Sequence, residues 1–139
     1  LGGYFSVIQA YTALLKKHKK GSIVAISSIY GSCTPRFDLY ENLNMTMPIE
    51  YAAIKSGIDH IIRYCVNYFK SSGIRFNTVS PGGIIDGQDE EFVRRYSSYC
   101  SKKGMLDAKD VTGTVIFLLS DYSEFVTGQN IKVDDGFSL

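Results

Sequence analysis

No stretch of this chain is apolar for the ~18 residues that a membrane-spanning helix requires. The first residues also lack the layout of a secretory signal. Charge of one sign is missing too. Fifteen basic residues against 14 acidic ones leave a net charge of +1, which gives no bulk electrostatic case for nucleic acid or a membrane surface. Cysteine is sparse: Cys33, Cys65 and Cys100 are odd in number and have no paired spacing. They are expected to be reduced thiols in a cytoplasmic protein. Neither His18 nor His60 has a ligand partner at a useful spacing, so no metal site is expected. Internal repeats, linkers and low-complexity tracts are all absent.

What remains is an ordinary globular composition. A length of 139 residues with 45% hydrophobic content fits one domain with a real core. Leu1-Gly2-Gly3-Tyr4 has no initiator methionine and runs straight into a helical pattern, so the chain is expected to be a fragment of a longer one.

Val7, Ile8, Tyr11, Leu14 and Leu15 recur at helical spacing over residues 4–19. Lysines crowd the end of this helix, and Gly21 stops it. Residues 22–27 form a short β-branched run without alternation, the mark of a strand buried on both faces. Residues 29–49 carry Gly31, Pro35 and Pro48 and read as a long loop, which is usually functional or mobile. A second helix runs from Tyr51 to Phe69 on Ile54, Ile58, Ile61, Ile62, Cys65, Val66 and Phe69. Residues 74–79 are the next strand, closed by Pro81-Gly82-Gly83. A third helix opens at Asp89, with Glu90/Arg94 and Glu91/Arg95 as i, i+4 pairs. Asp107 caps a fourth helix, with Asp110 at N3 and Val111, Val115, Ile116, Leu118 and Leu119 toward its core. Residues 130–134 are a final strand. Strands alternating with helices imply an α/β fold with a parallel sheet and right-handed crossovers.

Within this order, Tyr51-Ala-Ala-Ile-Lys55 puts a phenol and an ammonium one helical turn apart. A tyrosine that trades protons near neutral pH must be brought down from a pKa of about 10, and a nearby cation does this by favouring the phenolate. The spacing alone is unspecific. Tyr99 and Lys103 repeat it, in a chain with ten tyrosines and as many lysines. Position separates the two pairs. Ligands of open parallel sheets sit beyond the carboxyl ends of the strands. Ser28 follows one strand, Pro81-Gly82-Gly83 follows the next, and Tyr51 and Lys55 open the helix between them. A serine hydroxyl, a tyrosine and a lysine suit alcohol/ketone redox chemistry: Ser28 holds the substrate oxygen, Tyr51 moves the proton, and Lys55 supports Tyr51. The hydride must come from a cofactor. Other readings stay open: Ser28 as a turn cap, Tyr51 and Lys55 as helix-surface residues, and Pro81-Gly82-Gly83 as an ordinary turn.

These residues carry a resemblance. Gly21-Ser-Ile-Val-Ala-Ile-Ser-Ser28, Tyr51-Ala-Ala-Ile-Lys55-Ser-Gly57, Gly73-Ile-Arg-Phe-Asn77 with Ser80-Pro-Gly-Gly-Ile84, Thr127-Gly-Gln129 and Val133-Asp-Asp-Gly136 follow in order. Together they resemble the C-terminal half of a compact, single-domain short-chain dehydrogenase/reductase. The resemblance implies an incomplete Rossmann-type sheet of about three strands with flanking helices. Residues 1–139 would be the catalytic half, and the dinucleotide-binding half would be absent. It implies NAD or NADP as cofactor. Ser28, Tyr51 and Lys55 would be catalytic; Tyr51, Lys55, Pro81, Gly82, Gly83 and Ile84 would touch the cofactor. Asp86 stands where many relatives have a threonine near the cofactor, and is expected to point away.

The long loop, Pro81-Gly-Gly-Ile-Ile-Asp-Gly-Gln88 and the final Val133-Asp-Asp-Gly-Phe-Ser-Leu139 are similar to the flagellin-modification group of these reductases. That likeness implies a sugar-nucleotide or nonulosonic-acid intermediate as substrate. Tyr30, Arg36, Asp38, Tyr40, Glu41 and Asn42 are then candidate polar contacts to a sugar. A 3-oxoacyl-carrier-protein or general ketone reductase is the alternative, and a non-catalytic cofactor-binding subunit is another. The family resemblance also implies a homodimer or homotetramer. The 139 residues alone are expected to be inactive.

Overall fold

In the computed structural model, which describes residues 1–139, helices and strands alternate along the chain. They are α1 (Gly2–Leu15), β1 (Gly21–Ile26), α2 (Ile49–Tyr68), β2 (Ile74–Pro81), α3 (Glu90–Ser97), α4 (Ala108–Leu119) and β3 (Asn130–Val133). The sheet is parallel throughout, in the order β1-β2-β3. Gly21 lies opposite Ile74 and Ile26 opposite Val79; Thr78 lies opposite Asn130 and Pro81 opposite Val133. This register brings the carboxyl ends of β1 and β2 to one edge.

β2 is the central strand and its residues 76–80 are buried. Asn77 is therefore a polar group in the core, and both ends of its amide are used. Nδ2 donates to the Val126 carbonyl at 2.8 Å, and Oδ1 accepts from the Gln129 N–H at 3.0 Å. These bonds fold the Thr127-Gly128-Gln129 turn back onto the sheet.

Apolar side chains gather in three places. Ile8, Ile58, Ile62, Cys65, Ile74 and Phe76 join α1 and α2 to one face. Val79, Leu106, Val111 and Leu118 join α4 to the other. Ile29, Tyr30, Leu39, Phe92, Tyr96, Met105 and Phe137 pack beyond the strand ends.

Several expectations are corrected. α2 starts at Ile49, because Pro48 sits at its N-cap and helical geometry can begin directly after it. The loop of residues 29–48 contains two 3₁₀ turns, Ile29–Gly31 and Phe37–Tyr40. Arg94 pairs with Glu91, not Glu90; Glu91 takes Arg94 at 2.7 Å and Arg95 at 2.8 Å, which holds its carboxyl down at about 2. On α4, Ile116 and Leu119 are 61% and 53% exposed rather than core-facing. On α1, Ile8 and Thr12 are buried while Val7, Tyr11 and Leu14 are exposed. A three-stranded sheet is narrower than the apolar surface these helices carry.

Candidate active site

β1 ends at Ile26; Ser27 follows, and Ser28 is in extended backbone. Ser28 Oγ accepts the Tyr30 N–H at 3.2 Å and so caps the Ile29–Gly31 turn. The hydroxyl proton of Ser28 has no acceptor within the chain. Capping thus uses the oxygen as an acceptor and leaves the O–H free to donate.

Ser27 Oγ donates to the Lys55 carbonyl at 3.1 Å, tying α2 to the end of β1. Gly31 lets the same elements close up: a Cβ there would stand 2.9 Å from the Lys55 carbonyl carbon and from Asp59 Oδ2. Tyr51 is 39% exposed, and its hydroxyl has no partner in the chain. Lys55 Nζ lies 5.5 Å from the centre of the Tyr51 ring and donates to the Ile26 carbonyl at 3.4 Å. An ammonium has three donors, so Lys55 has donors to spare.

At the end of β2, Gly82 N–H donates to the Val133 carbonyl at 2.8 Å and Gly83 N–H donates to Tyr96 Oη at 2.7 Å. A Cβ on Gly82 would come within 2.8 Å of Tyr96 Oη, and one on Gly83 within 3.0 Å of Met105 Cε. Close packing is what requires these glycines. The Ile84 carbonyl accepts Gln88 Nε2 at 2.9 Å, while its N–H finds no acceptor in the chain.

One cavity of about 420 Å³ is lined by Ser28, Tyr51, Lys55, Pro81, Gly82, Gly83 and Ile84 together. All three methionines of the chain, Met45, Met47 and Met105, line it as well. So do Tyr30, Tyr40, Phe92 and Tyr96. Lys55 carries the sole charge on the wall. Burial pushes the Tyr30 and Tyr96 phenols well above their ordinary range, so both are neutral donors at any ordinary pH.

The duplicate pair lies elsewhere. Tyr99 Oη donates to Asp38 at 2.6 Å, and Lys103 bridges Asp107 and Asp110. Asp86 is exposed and outside the cavity wall. Of the loop residues expected to contact a sugar, Tyr30 and Tyr40 line the cavity and four do not. Arg36 donates to the Leu139 carbonyl at 3.0 Å and covers the Tyr99 ring at 4.2 Å. Asp38 is taken by Tyr99, and the Glu41 carbonyl by Arg95 at 2.8 Å. Asn42 is exposed in a left-handed turn with φ +59°. Arg36, Asp38 and the Glu41 carbonyl fasten the loop to the C-terminus, Tyr99 and α3. Two residues escaped the sequence reading. Tyr96 had only the Phe92/Tyr96 spacing on α3 to signal it. Asp59, which shares a helix face with Ile62 and Val66, is 3% exposed, with Oδ2 accepting from Asn130 Nδ2 at 2.8 Å.

The family profile described as enoyl-(acyl carrier protein) reductase matches residues 1–138. The chain belongs to the short-chain dehydrogenase/reductase family. Within that family it is 45% identical to a post-translational flagellin modification protein A from Campylobacter coli, over 100% of this chain and 54% of that protein. It is 31% identical to a 3-oxoacyl-[acyl-carrier-protein] reductase from Thermotoga maritima, over 100% of this chain and 54% of that one. A short-chain dehydrogenase from Leptospira borgpetersenii, solved with bound NAD+, superposes with a TM-score of 0.92 at 37% identity, covering 100% of this chain and 53% of that one. The three-stranded sheet with its flanking helices is thus part of a Rossmann-type short-chain dehydrogenase/reductase fold. The chain spans about half the length of the curated relatives it matches. No helix is long and apolar enough to cross a membrane.

Proposed function

We propose that the full-length protein is a cytoplasmic NAD- or NADP-dependent oxidoreductase that interconverts an alcohol and a ketone. Residues 1–139 would form the C-terminal, catalytic half of one Rossmann-type domain. The observation that carries this reading is the single cavity uniting Ser28, Tyr51 and Lys55 with the turn of residues 81–84. When bound, the nicotinamide supplies or takes up the hydride, which no side chain can do. The donors left over in the cavity suit such a group: Lys55 has spare N–H donors for ribose hydroxyls, and the Ile84 N–H is free for a carboxamide oxygen. Tyr51 and Pro81, Gly82 and Gly83 complete that side of the wall.

In reduction, Ser28 donates a hydrogen bond to the substrate carbonyl oxygen and keeps its own proton, holding that oxygen in place. Tyr51 delivers the proton that the oxygen gains as the alcohol forms. Lys55 keeps a positive charge beside the Tyr51 ring, where the departing proton leaves negative charge. Oxidation runs the same transfers backwards. In the full-length protein, Tyr51→Phe is expected to lower turnover at least about 100-fold while largely sparing cofactor binding. Near-normal turnover in that variant would sink the mechanism.

The 45% identical flagellin-modification relative supports a carbohydrate-derived substrate of a sugar-nucleotide or nonulosonic-acid route. The methionine and aromatic wall, with the 31% identical carrier-protein reductase, supports the second reading, a 3-oxoacyl-type ketone. Nicotinamide absorbance with a sugar-nucleotide ketone and with a 3-oxoacyl thioester separates the two.

A further inference from the structure

Ser28 and Tyr96 share an unusual arrangement. Each hydroxyl oxygen accepts a backbone N–H, from Tyr30 at 3.2 Å and from Gly83 at 2.7 Å. Neither hydroxyl proton has an acceptor in the chain. Both residues are nearly buried, at 7% and 2% exposure, and both line the same cavity. An oxygen already engaged as an acceptor still has its own O–H to give, turned away from that bond, so each group remains able to donate.

Tyr96 is held more firmly than a simple wall residue needs. Its ring stacks on Phe137 with centroids 3.9 Å apart and planes 2° from parallel. Its immediate company on the wall is apolar, chiefly Phe92 and Met105. Of the other phenols there, Tyr30 and Tyr40 face each other at 3.4 Å, and Tyr51 is the proposed proton donor beside Lys55. Gln88 is spent on the Ile84 carbonyl and the Asp86 N–H.

We propose that Tyr96 is a substrate-recognition residue whose phenol donates a hydrogen bond to a second, uncharged oxygen of the substrate, distinct from the oxygen held by Ser28. The substrate class is therefore an oxygen-bearing ketone or alcohol, such as a hydroxyketone or a 3-oxo ester. An uncharged oxygen is specified because Lys55 is the sole charged group on the wall and already stands beside Tyr51. A buried donor that loses water to an incoming substrate and finds no acceptor penalises a substrate without that oxygen. This inference rests on the oxidoreductase reading of the same cavity. It fits both substrate readings above and excludes plain ketones as preferred substrates.

The test is Tyr96→Phe in the full-length protein, which keeps the ring and its stacking on Phe137. Two matched pairs serve as probes: 3-hydroxybutan-2-one with butan-2-one, and ethyl 3-oxobutanoate with heptan-2-one. The variant is expected to lose about 10-fold or more in kcat/KM for an oxygenated member of at least one pair, with its plain partner little changed. Equal losses within both pairs, or no loss at all, would overturn the proposal. The first of these would make Tyr96 only a latch for the Gly83 turn, and weakened cofactor binding would accompany it. A second measurement covers a variant that misfolds or a protein that reduces no ketone. Calorimetry of the same probes on the Tyr51→Phe protein, with NADH and with NADPH present in turn, should show tighter binding of an oxygenated member. Equal affinities there also overturn the proposal. Absent turnover with preserved discrimination would defeat the oxidoreductase reading and leave Tyr96 as a ligand-binding donor.

Discussion

Asp59 shows at the residue scale what burying a carboxyl on a packed helix face costs. It sits one turn beyond Lys55 on α2, yet it is buried against β3. Asn130 Nδ2 satisfies one carboxylate oxygen, while Asp59 Oδ1 and Asn130 Oδ1 have no partners. Burial pushes the Asp59 carboxyl up, more than the nearby Ser27 and Thr78 hydroxyls and the Arg63 and Lys55 charges pull it down. A raised carboxyl favours the protonated folded state. Its stabilising contribution is complete below the unfolded pKa of about 3.9 and is lost as pH rises through the higher folded value. Asp59→Asn removes the charge and keeps an acceptor for Asn130. It is expected to melt above the parent at pH 7. That gap should close as pH falls toward about 4 and level off above the folded pKa. Parallel Tm-against-pH curves for the two proteins would contradict this. Ile62 and Val66, three and seven residues on, put position 59 toward the packed side of α2; only the register of β3 puts an amide in front of it.

At the scale of elements, the site depends on how near the Ile29–Gly31 turn comes to α2. Ser27 bonds the Lys55 carbonyl from one side, and Gly31 allows backbone contact from the other. Gly31→Ala would force a Cβ to 2.9 Å from the Lys55 backbone and from Asp59 Oδ2. Neither neighbour is the free end of a flexible side chain. The expected cost is about 1–3 kcal/mol by chemical denaturation, as for other overpacked sites. An unchanged midpoint would mean that the turn moves freely. Gly31 was visible in the sequence as a loop glycine, but its partner was not. By contrast, the start of α3 was legible. Asp89 accepts from the Glu91 N–H at 2.8 Å, as expected of an acid just before a helix. Asp110 Oδ2 likewise accepts from the Asp107 N–H at 2.8 Å at the start of α4. Caps are local, so sequence reveals them.

Across the whole molecule, apolar surface is distributed unevenly. α2 leaves Ile54, Tyr64 and Tyr68 exposed, and the region from α4 onward leaves Ile116, Leu119, Tyr122 and Phe125 exposed. Tyr122 and Phe125 are each 92% exposed, which is far from usual for a large aromatic side chain. Two such surfaces suit a homodimer or homotetramer of the full-length protein. The expected result is sedimentation of the full-length protein as one of these, with Leu119→Glu or Phe125→Glu lowering the order of assembly. A monomer at micromolar concentration would refute it.

The sequence by itself determined the alternation of strands and helices, because periodicity and caps are properties of neighbouring residues. It also determined that Tyr51 and Lys55 share a helix face, because residues four apart on a helix must do so. Only the tertiary structure decided which polar groups face the cavity. Arg36 and Asp38 look like substrate contacts in a long loop, but they are bound to the C-terminal residues and to Tyr99. Tyr96 looks like a helix-core aromatic, but it holds Gly83 and presents a free proton. Such pairings join segments far apart in the chain. They follow from sheet register and from the packing beyond the strand ends, which no local pattern encodes.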